Sequence, residues 1–389
     1  MSLLVIFVFP ARLAWRQLIH DRTKLIAAIC GVLFATVLVF MQMGFKDALY
    51  AGASSSPTKM NGDLFIMHKQ TEAMWRSVLF DRSELMRALG HPQVVSAYPM
   101  YIGLAQFKDA VTQTKRTLMV YGYDTDTNLM NIDEVRDKQE QLHLKDTILF
   151  DESSRPEFGP MRKLISEGRN INEINDHKVK VVGLFRLGIS FSADANVITS
   201  DLNFLRIFPE RISEKINLGI IKLVPGADKE KVKSELIAKL NKDINFFTFD
   251  ELVESEKFYW QTRTPIGFIF GFGTVMGLVV GMVIVYQILF TDITNHLNEF
   301  ATLKAMGYRT GYFIRVVFAS AFFLAILGFI PGYIVSVGLY RLAEGQIYMP
   351  MPMTLDKIFT IFVFILTMCA TAGILAMRKL GAANPADMF

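Results

Sequence analysis

The stretch LIAAICGVLFATVLVFMQMGF, Leu25–Phe45, contains no charged residue and is followed by more than two hundred residues of mixed, charge-bearing sequence. Three further apolar stretches then follow in quick succession, at Ile266–Phe290, Val316–Tyr340 and Ile358–Met377. Each is about 20 residues or longer, enough for a helix to cross roughly 30 Å of hydrocarbon. The sequence therefore predicts an α-helical membrane protein with four transmembrane helices (1 + 3) and a large mixed α/β extracytoplasmic domain inserted between the first two.

Composition agrees with this division of the chain. Of its 389 residues, 51% are hydrophobic and 20% are charged. The mean hydropathy of +0.31 is too high for an ordinary soluble protein, and the insert carries most of the charge. The net charge of +4 is small, and no nucleic-acid partner is expected. The two cysteines, Cys30 and Cys369, lie inside predicted spans, so no disulfide framework is expected in the outer domain.

Basic residues predict the orientation of the spans. They precede the first span, separate the second from the third and follow the last, at Arg12, Arg16, Arg22, Lys24, Lys304, Arg309, Arg315, Arg378 and Lys379. The positive-inside rule makes these zones cytoplasmic, so both termini are expected in the cytoplasm. The predicted segments are a cytoplasmic interfacial helix 1–24, spans 25–45, 266–290, 316–340 and 358–377, an outer domain 46–263, an inner loop 291–311, an outer loop 341–357 and a cytoplasmic tail 378–389.

The first span resembles a secretory signal peptide, because Ala51-Gly52-Ala53 has the small residues of a cleavage site. Its apolar run is longer than the roughly 7–15 residues of such a signal, however. A retained signal-anchor is therefore expected.

Strand-type runs alternate with helical patterns in the insert. The predicted strands are Leu64–Met67, Leu118–Tyr121, Thr147–Phe150, Val179–Phe185, Asn196–Thr199 and Gly219–Leu223. The predicted helices are Arg82–Leu89, Lys229–Leu240 with Asp228 as its N-cap, and Phe249–Thr264 leading into the second span. About 215 residues are enough to bury a core of their own, and the domain has room for two lobes.

Residues 10–22 form an amphipathic pattern before the first span. Trp15 lies on the apolar face, whereas Arg12 and Arg16 share the opposite face, and Pro10 suits the first helical position. A basic helix with a tryptophan on its apolar side predicts an interfacial element in contact with membrane lipid. A frayed, solvated N-terminus is the alternative.

A ladder of small residues runs along the second span. Gly273, Gly277 and Gly281 repeat at every fourth position, which leaves a smooth groove where another helix backbone approaches closely. The ladder predicts either packing within the chain or a dimer seam, and the dimer seam is the more specific hypothesis.

The loop after the second span carries a second amphipathic pattern, over Asp292–Met306. Its apolar residues have helical spacing, Gly307 is positioned as a left-handed cap, and the pattern as a whole comprises Ile293, Leu297, Glu299, Phe300, Leu303, Lys304 and Gly307. Such a helix either docks in a groove of a cytosolic partner or rests on the inner leaflet.

Catalytic motifs do not accompany these features. The sequence has no Walker-A phosphate loop, no helical pair of zinc-binding histidines and no nucleophile elbow with the residues of a triad. The span interiors also lack charged residues, which argues against a secondary transporter that moves ions through the bilayer. We therefore expect no enzymatic activity, no metal and no cofactor bound by this chain.

The loop motif resembles that of a known family. Glu299-Phe-Ala-Thr-Leu-Lys304-Ala-Met-Gly307 is similar to the E-x-x-x-L-K-A-x-G signature of FtsX/MacB-type ABC permeases, which follows their second span. The 1 + 3 topology and the large insert also resemble that family, and the ending Arg378-Lys-Leu-Gly-Ala-Ala-Asn-Pro385-Ala resembles its tail. With its opening Ala14-Trp-Arg-Gln-Leu, the chain is most similar to the cyanobacterial DevC-type exporter permeases.

This resemblance implies a mechanism. Two permease chains, expected to be identical, would each recruit a separate ABC ATPase that holds ATP and magnesium, because this chain has no fused nucleotide-binding domain. Segment 291–311 would act as the coupling helix, and ATP-driven motion would pass to the outer domains. Export of a glycolipid or other envelope substrate would then proceed through a periplasmic adaptor and an outer-membrane, TolC-like channel.

Two alternatives belong to other functional classes. An FtsX-like regulator would relay the state of the ATPase to an extracytoplasmic partner without transporting anything. A membrane-anchored sensor would use the insert as a ligand-binding domain and would require a cytoplasmic output domain.

Overall fold

The computed structural model describes residues 3–108, 115–240, 242–296, 299, 302, 306–308 and 310–381. The chain divides into two compact units. The helical unit comprises Met1–Asp47, Gly267–Gln346 and Met351–Phe389, and the α/β unit comprises Ala48–Ile266 and Ile347–Pro350.

The α-helices among the described residues are numbered here in chain order. They are α1 Leu3–His20, α2 Arg22–Ser54, α3 Arg82–Arg87, α4 Asp133–Arg136, α5 Gln139–Leu142, α6 Met161–Ser166, α7 Asp201–Ile207, α8 Lys229–Lys239, α9 Phe249–Phe258, α10 Pro265–Asn295, α11 Thr310–Ile347 and α12 Leu355–Gly381. Four of them, α2, α10, α11 and α12, are long and apolar enough to cross a membrane.

The strands are numbered in the same way. They are β1 Leu64–His68, β2 Phe80–Asp81, β3 Val94–Lys108, β4 Lys115–Tyr123, β5 Thr147–Asp151, β6 Ile171–Ile174, β7 His177–Phe185, β8 Asn196–Ser200, β9 Lys215–Ile216, β10 Leu218–Leu223 and β11 Ile244–Thr248. All six predicted strands lie within β1, β4, β5, β7, β8 and β10. The large mixed α/β domain expected from the sequence is therefore present.

One face of helix α2 is closely packed inside the helical unit. Ala28, Val32, Ala35, Val39 and Phe40 have no exposed surface, because neighbouring helices cover them. Small residues permit this close packing. A Cβ atom added at Gly332 of α11 would lie 2.8 Å from the Thr36 side chain, and one added at Gly328 would lie even closer to the Val32 side chain.

Polar contacts hold both ends of α2. At its start, the Asp21 carboxylate accepts a hydrogen bond of 3.2 Å from the backbone N–H of Lys24, as an N-cap does. Near its other end, Asp47 forms an ion pair of 2.7 Å with Lys357 of α12, whose side chain is only 4% exposed. Lys357 also lies over the ring of Tyr340 of α11, 5.3 Å from its centre. These contacts fix the ends of three long helices relative to one another.

A nine-stranded mixed sheet, in the order β11-β1-β10-β3-β4-β8-β5-β7-β6, organises the α/β unit, and β2 pairs with β9 in a separate two-stranded sheet. The pairs β4–β8 and β5–β7 are parallel and the others antiparallel. Strand β3 is long enough to pair with strands from two parts of the sheet. Its first half pairs with β10, and its last residues, Phe107 and Lys108, pair with Ile174 and Glu173 of β6. This extra pairing closes β3, β4, β8, β5, β7 and β6 into a ring, from which β10, β1 and β11 extend.

Alternating side chains give this sheet two hydrophobic cores. One core contains Phe107, Phe150 and Phe158, whose ring centres lie within 5.7 Å of one another. The other contains Phe65 and Leu252, so it holds helix α9 against the sheet. Both faces of the nine-stranded sheet are therefore covered by hydrophobic cores.

The structure refines several boundaries. Asp228 caps α8 as predicted, accepting backbone N–H bonds of 3.1 Å from Glu230 and Lys231. The prediction that Pro10 occupies the first helical position is wrong, because α1 begins at Leu3 and Pro10 lies inside it. The apolar residues before Pro10 continue the helix, which tolerates the single backbone N–H that proline lacks.

Candidate functional site

The predicted coupling helix begins within the last turn of α10. Ile293 is 3% exposed, so its side chain contributes to packing within the helical unit rather than to an exposed ridge. Glu299 is exposed. Four other members of the predicted pattern lie outside the described residues; they are Leu297, Phe300, Leu303 and Lys304.

Two exposed apolar side chains flank the end of this loop. Met306 is 63% exposed and Tyr308 is 45% exposed. Between them, Gly307 has φ +94°, in the left-handed region where a side chain would be strained. Exposed apolar groups beside a chain reversal are suited to contact with a protein groove or a lipid surface.

Charged residues place this loop beside the junction of α1 and α2. The His296 Nδ1 atom lies 2.9 Å from the backbone carbonyl oxygen of Asp292. Asp292 in turn lies close enough to Lys24 and Asp21 to interact with both electrostatically, and those two residues form an ion pair of 2.9 Å. The start of the loop and the α1–α2 junction therefore occupy the same end of the helical unit.

The glycine ladder of α10 faces α2 of the same chain. A Cβ atom at Gly273 would lie 2.5 Å from the Gln42 side chain, and one at Gly281 would lie 2.5 Å from the Cβ of Ala35. Gly277 is less crowded, with the nearest side-chain atom of α2 at 3.3 Å. Close approach of α2 thus accounts for the ladder as packing within the chain, one of the two interpretations that the sequence left open.

Helix α1 carries the three residues predicted for the interfacial helix. Arg12, Trp15 and Arg16 are exposed, whereas Ala14 on the opposite side is fully buried. The Trp15 ring packs edge to face against Phe323 of α11, with 5.2 Å between ring centres. Helix α1 is thus packed on one side and open on the other, and Trp15 is exposed together with the two arginines although the pattern predicts it on the opposite face.

A buried acid in the α/β unit was absent from the sequence prediction. Glu256 of α9 is 4% exposed, and its Oε1 atom accepts a hydrogen bond of 2.6 Å from the backbone N–H of Met74. Burial raises the pKa of Glu256 to about 7. Its carboxyl group lines a cavity of about 30 Å³, which is room for about two water molecules.

Polar and aromatic groups surround this carboxyl group. The indole N–H of Trp75 and the hydroxyl of Ser56 are buried with no hydrogen-bond partner among the described residues. Tyr121 is a titratable neighbour of Glu256, and the two side chains interact electrostatically. The Tyr121 hydroxyl also lies near Ser56, without the geometry of a hydrogen bond. Trp260 closes one side by stacking on Trp75 at 6.4 Å. Unpaired donors around an acid indicate a hydrated cavity.

The sequence does contain a signal for Glu256. Helix α9 begins with a capping box between Thr248 and Glu251, which fixes its register. Leu252 is fully buried, and Glu256 follows it by four positions on the same face. A charged residue on the buried stripe of a well-capped helix marks a perturbed acid.

Replacement of Glu256 by glutamine is expected to flatten the dependence of stability on pH. In the wild type, the Glu256 pKa rises from 4.5 to about 7 on folding, so the folded state binds a proton that the unfolded state releases. The free energy of unfolding should therefore fall by about 3 kcal/mol between pH 4.5 and 7 and then level off. The amide removes this fall and still accepts the bond from Met74.

Thermal unfolding of the full chain in detergent, followed by tryptophan fluorescence from pH 4.5 to 8, measures the effect. The control is Glu254→Gln, an exposed position of the same helix. Equal slopes for the wild type and Glu256→Gln would show that Glu256 does not titrate in this range.

Comparison with known proteins associates the last part of the chain with one family. Residues 271–385 match the FtsX-like permease C-terminal domain. The periplasmic region of MacB from Actinobacillus actinomycetemcomitans is 12% identical, with a TM-score of 0.35 over 52% of this chain and 94% of that one. The extracellular domain of the noncanonic ABC-type transporter YknZ from Gram-positive bacteria is 12% identical, with a TM-score of 0.32 over 48% and 99% of the two chains. No curated protein matches the sequence.

Proposed function

We propose that this chain is the permease subunit of an ATP-driven ABC export system that works by mechanotransmission. The observation that carries the proposal is the match of residues 271–385 to the FtsX-like permease C-terminal domain. That segment includes α11, α12, most of α10 and the loop with the E-x-x-x-L-K-A-x-G motif. Helix α2 supplies a fourth apolar helix, and the large α/β unit follows it in the chain.

The proposed orientation places both termini in the cytoplasm of a bacterial cell and the α/β unit outside. Its support is the distribution of charge at the two ends of the helical unit. Lys24 and Asp292 lie together at one end, near the basic residues of α1, and Asp47 and Lys357 pair at the other. The positive-inside rule makes the first of these ends the inner one, so α2 leads outward into the α/β unit.

The loop between α10 and α11 would bind a separate ATPase, which would hold ATP and magnesium. Exposed Glu299, Met306 and Tyr308 support an external contact at this loop. A displacement of the loop would reach α2 through the neighbouring Asp292 and Lys24, because α2 is packed tightly against α10. The α/β unit would receive the motion through α2 and α10, which are the helices covalently joined to it.

A second permease chain would complete the transporter. Val275, Val279 and Val283 of α10 are 44–56% exposed, although they lie in an apolar helix. In a membrane this face contacts lipid or another helix, and we propose a second copy of the chain there. The glycine ladder on the opposite side remains occupied by α2.

The outer partners and the cargo are proposed from the family resemblance. A periplasmic adaptor, a TolC-like outer-membrane channel and a glycolipid or other envelope substrate are what the resemblance to DevC-type permeases implies. In such a system the α/β units would act on cargo outside the inner membrane, and the cargo would not pass between the spans.

Charge reversal at Glu299 tests the coupling. We expect the wild-type chain to copurify with a co-expressed partner ABC ATPase and to support ATP hydrolysis. Glu299→Arg should weaken copurification by about tenfold or more, equivalent to about 1.4 kcal/mol, because it places a like charge opposite groups that bind a carboxylate. Glu254→Arg, at an exposed position of the α/β unit, is the matched control.

The outcomes separate the functional classes. If no ATPase copurifies with folded wild-type protein, the ABC mechanism fails and the sensor hypothesis replaces it. If the complex forms and hydrolyses ATP but exports nothing from reconstituted vesicles with its adaptor, the chain is a regulator. Equal loss in Glu254→Arg would assign the effect to misfolding.

A further inference from the structure

An open groove lies between α1 and α11 in the helical unit. Its volume is about 690 Å³, within the range of about 300–1,000 Å³ that small-molecule sites occupy. Helix α11 contributes Phe323, Ile326 and Leu327, which are apolar and half-buried. The floor of the groove therefore suits a flexible hydrocarbon chain.

Helix α1 contributes a different set of groups to the same groove. Trp15 forms one wall through its edge-to-face contact with Phe323. Arg12 and Arg16, one helical turn apart, line the groove and are exposed. Within the described part of the chain, neither guanidinium forms an ion pair or a hydrogen bond. Two unpaired guanidinium groups beside an apolar groove match a ligand with an anionic head and an apolar tail.

The register of the helices places this groove at a defined depth. Gly328 lies against Val32, and Gly332 lies against Thr36. In each pair the two residues are 296 positions apart in the sequence, so α11 runs parallel to α2. The same offset places Phe323 of α11 about level with Ala27 of α2. Ala27 follows the charged residue Lys24 by less than one turn of α2. The groove is therefore located where the basic end of the helical unit meets its apolar part.

On the proposed orientation, we infer that this groove binds one anionic phospholipid of the inner leaflet. Its phosphate would lie between Arg12 and Arg16, since guanidinium groups bind phosphate oxygens in a bidentate fashion. One acyl chain would extend along Phe323, Ile326 and Leu327. Basic pockets between helices on the cytoplasmic side are known sites for anionic headgroups. The bound lipid would hold α1 against α11, independently of any ATPase partner.

Native mass spectrometry of the purified full chain tests the site. The protein in neutral detergent is titrated with phosphatidylglycerol and, separately, with phosphatidylcholine bearing the same acyl chains. We expect the wild type to bind one phosphatidylglycerol about tenfold more tightly, equivalent to about 1.4 kcal/mol. Arg12→Gln/Arg16→Gln should abolish this preference. Arg22→Gln, an exposed arginine at the start of α2 and outside the groove lining, should retain it.

A second variant tests the groove without altering its charge. Ala11 lines the groove, so Ala11→Trp should fill it and weaken phosphatidylglycerol binding while both arginines remain. This variant also decides the question if the double glutamine variant does not fold.

Three results would overturn the inference. They are equal binding of the two lipids by the wild type, wild-type affinity for phosphatidylglycerol in either groove variant, and a dimer that Ala11→Trp dissociates while lipid binding is unchanged. The last result would assign the groove to a second copy of the chain.

Discussion

Replacement of Asp151 by alanine is expected to lower the free energy of unfolding of the α/β unit by about 2–5 kcal/mol. Asp151 ends β5 and has no exposed surface. Its Oδ1 atom accepts backbone N–H bonds from Ser153 at 2.9 Å and Leu187 at 3.2 Å. Its Oδ2 atom accepts from the Gly188 N–H at 3.0 Å and the Asn196 side-chain amide at 2.9 Å.

The size of this effect follows from what alanine leaves behind. Each buried donor without an acceptor costs about 1–3 kcal/mol. Asp151 accepts hydrogen bonds from donors just after β5, in the segment after β7 and at the start of β8. Asp151→Asn should have a smaller but substantial effect, because its amide retains one acceptor and sets an N–H group against another donor. Thermal unfolding of the full chain in detergent measures both.

The neighbouring residue provides the control. Glu152 pairs with Arg162 and with Arg186, the latter at 3.0 Å, and both arginine side chains are at least 70% exposed. Solvent-exposed pairs contribute little, so Glu152→Ala should cost less than about 1 kcal/mol. Similar losses at the two positions would mean that the buried network of Asp151 is not a major source of stability.

Substitution of Gly281 by leucine is expected to prevent correct packing of the helical unit. An added Cβ atom alone would lie 2.5 Å from Ala35 of α2 and 2.6 Å from the Met368 sulfur of α12. Both neighbours are buried, so neither has space to withdraw. Overpacking of this kind costs about 1–3 kcal/mol and sometimes more, and a leucine adds three further carbon atoms.

An exposed glycine of α11 provides the matched control. Gly338 has no atom within 4 Å of the position of an added Cβ, so Gly338→Leu makes the same change at an open position. We expect Gly281→Leu to reduce the yield of monodisperse protein and its apparent unfolding temperature, and Gly338→Leu to resemble the wild type. Wild-type behaviour of Gly281→Leu would show that the ladder does not pack against α2.

Strand β3 shows why part of the fold escapes prediction from sequence. Pro99 and Gly103 interrupt the strand-type composition of Val94–Lys108, and both residues are depleted in strands. In the structure Pro99 pairs with Gly219 of β10. Gly103 is close to Phe208, whose ring would lie 2.7 Å from an added Cβ. The strand depends on partners distant in sequence, which no local pattern reveals.

Some candidate sites are also visible in the sequence, whereas others depend on residues distant in the chain. The loop motif around Glu299 and the amphipathic helix around Trp15 are patterns of adjacent residues, so the sequence alone identifies them. The groove beside Trp15 requires α11, and the altered acidity of Glu256 requires Met74 and Trp75 from another part of the chain. Sequence spacing contains no information about such neighbours.

By itself, the sequence determined four apolar helices, the mixed α/β insert and the loop that matches the permease signature. These properties follow from composition and periodicity within short segments, because the energy of transferring a side chain out of water is largely local. Only the tertiary structure decided that the glycine ladder of α10 meets α2, that β3 joins two groups of strands and that Glu256 is buried beside a cavity. Each of these results depends on contacts between distant segments, where close packing selects one arrangement among many that the same local patterns allow.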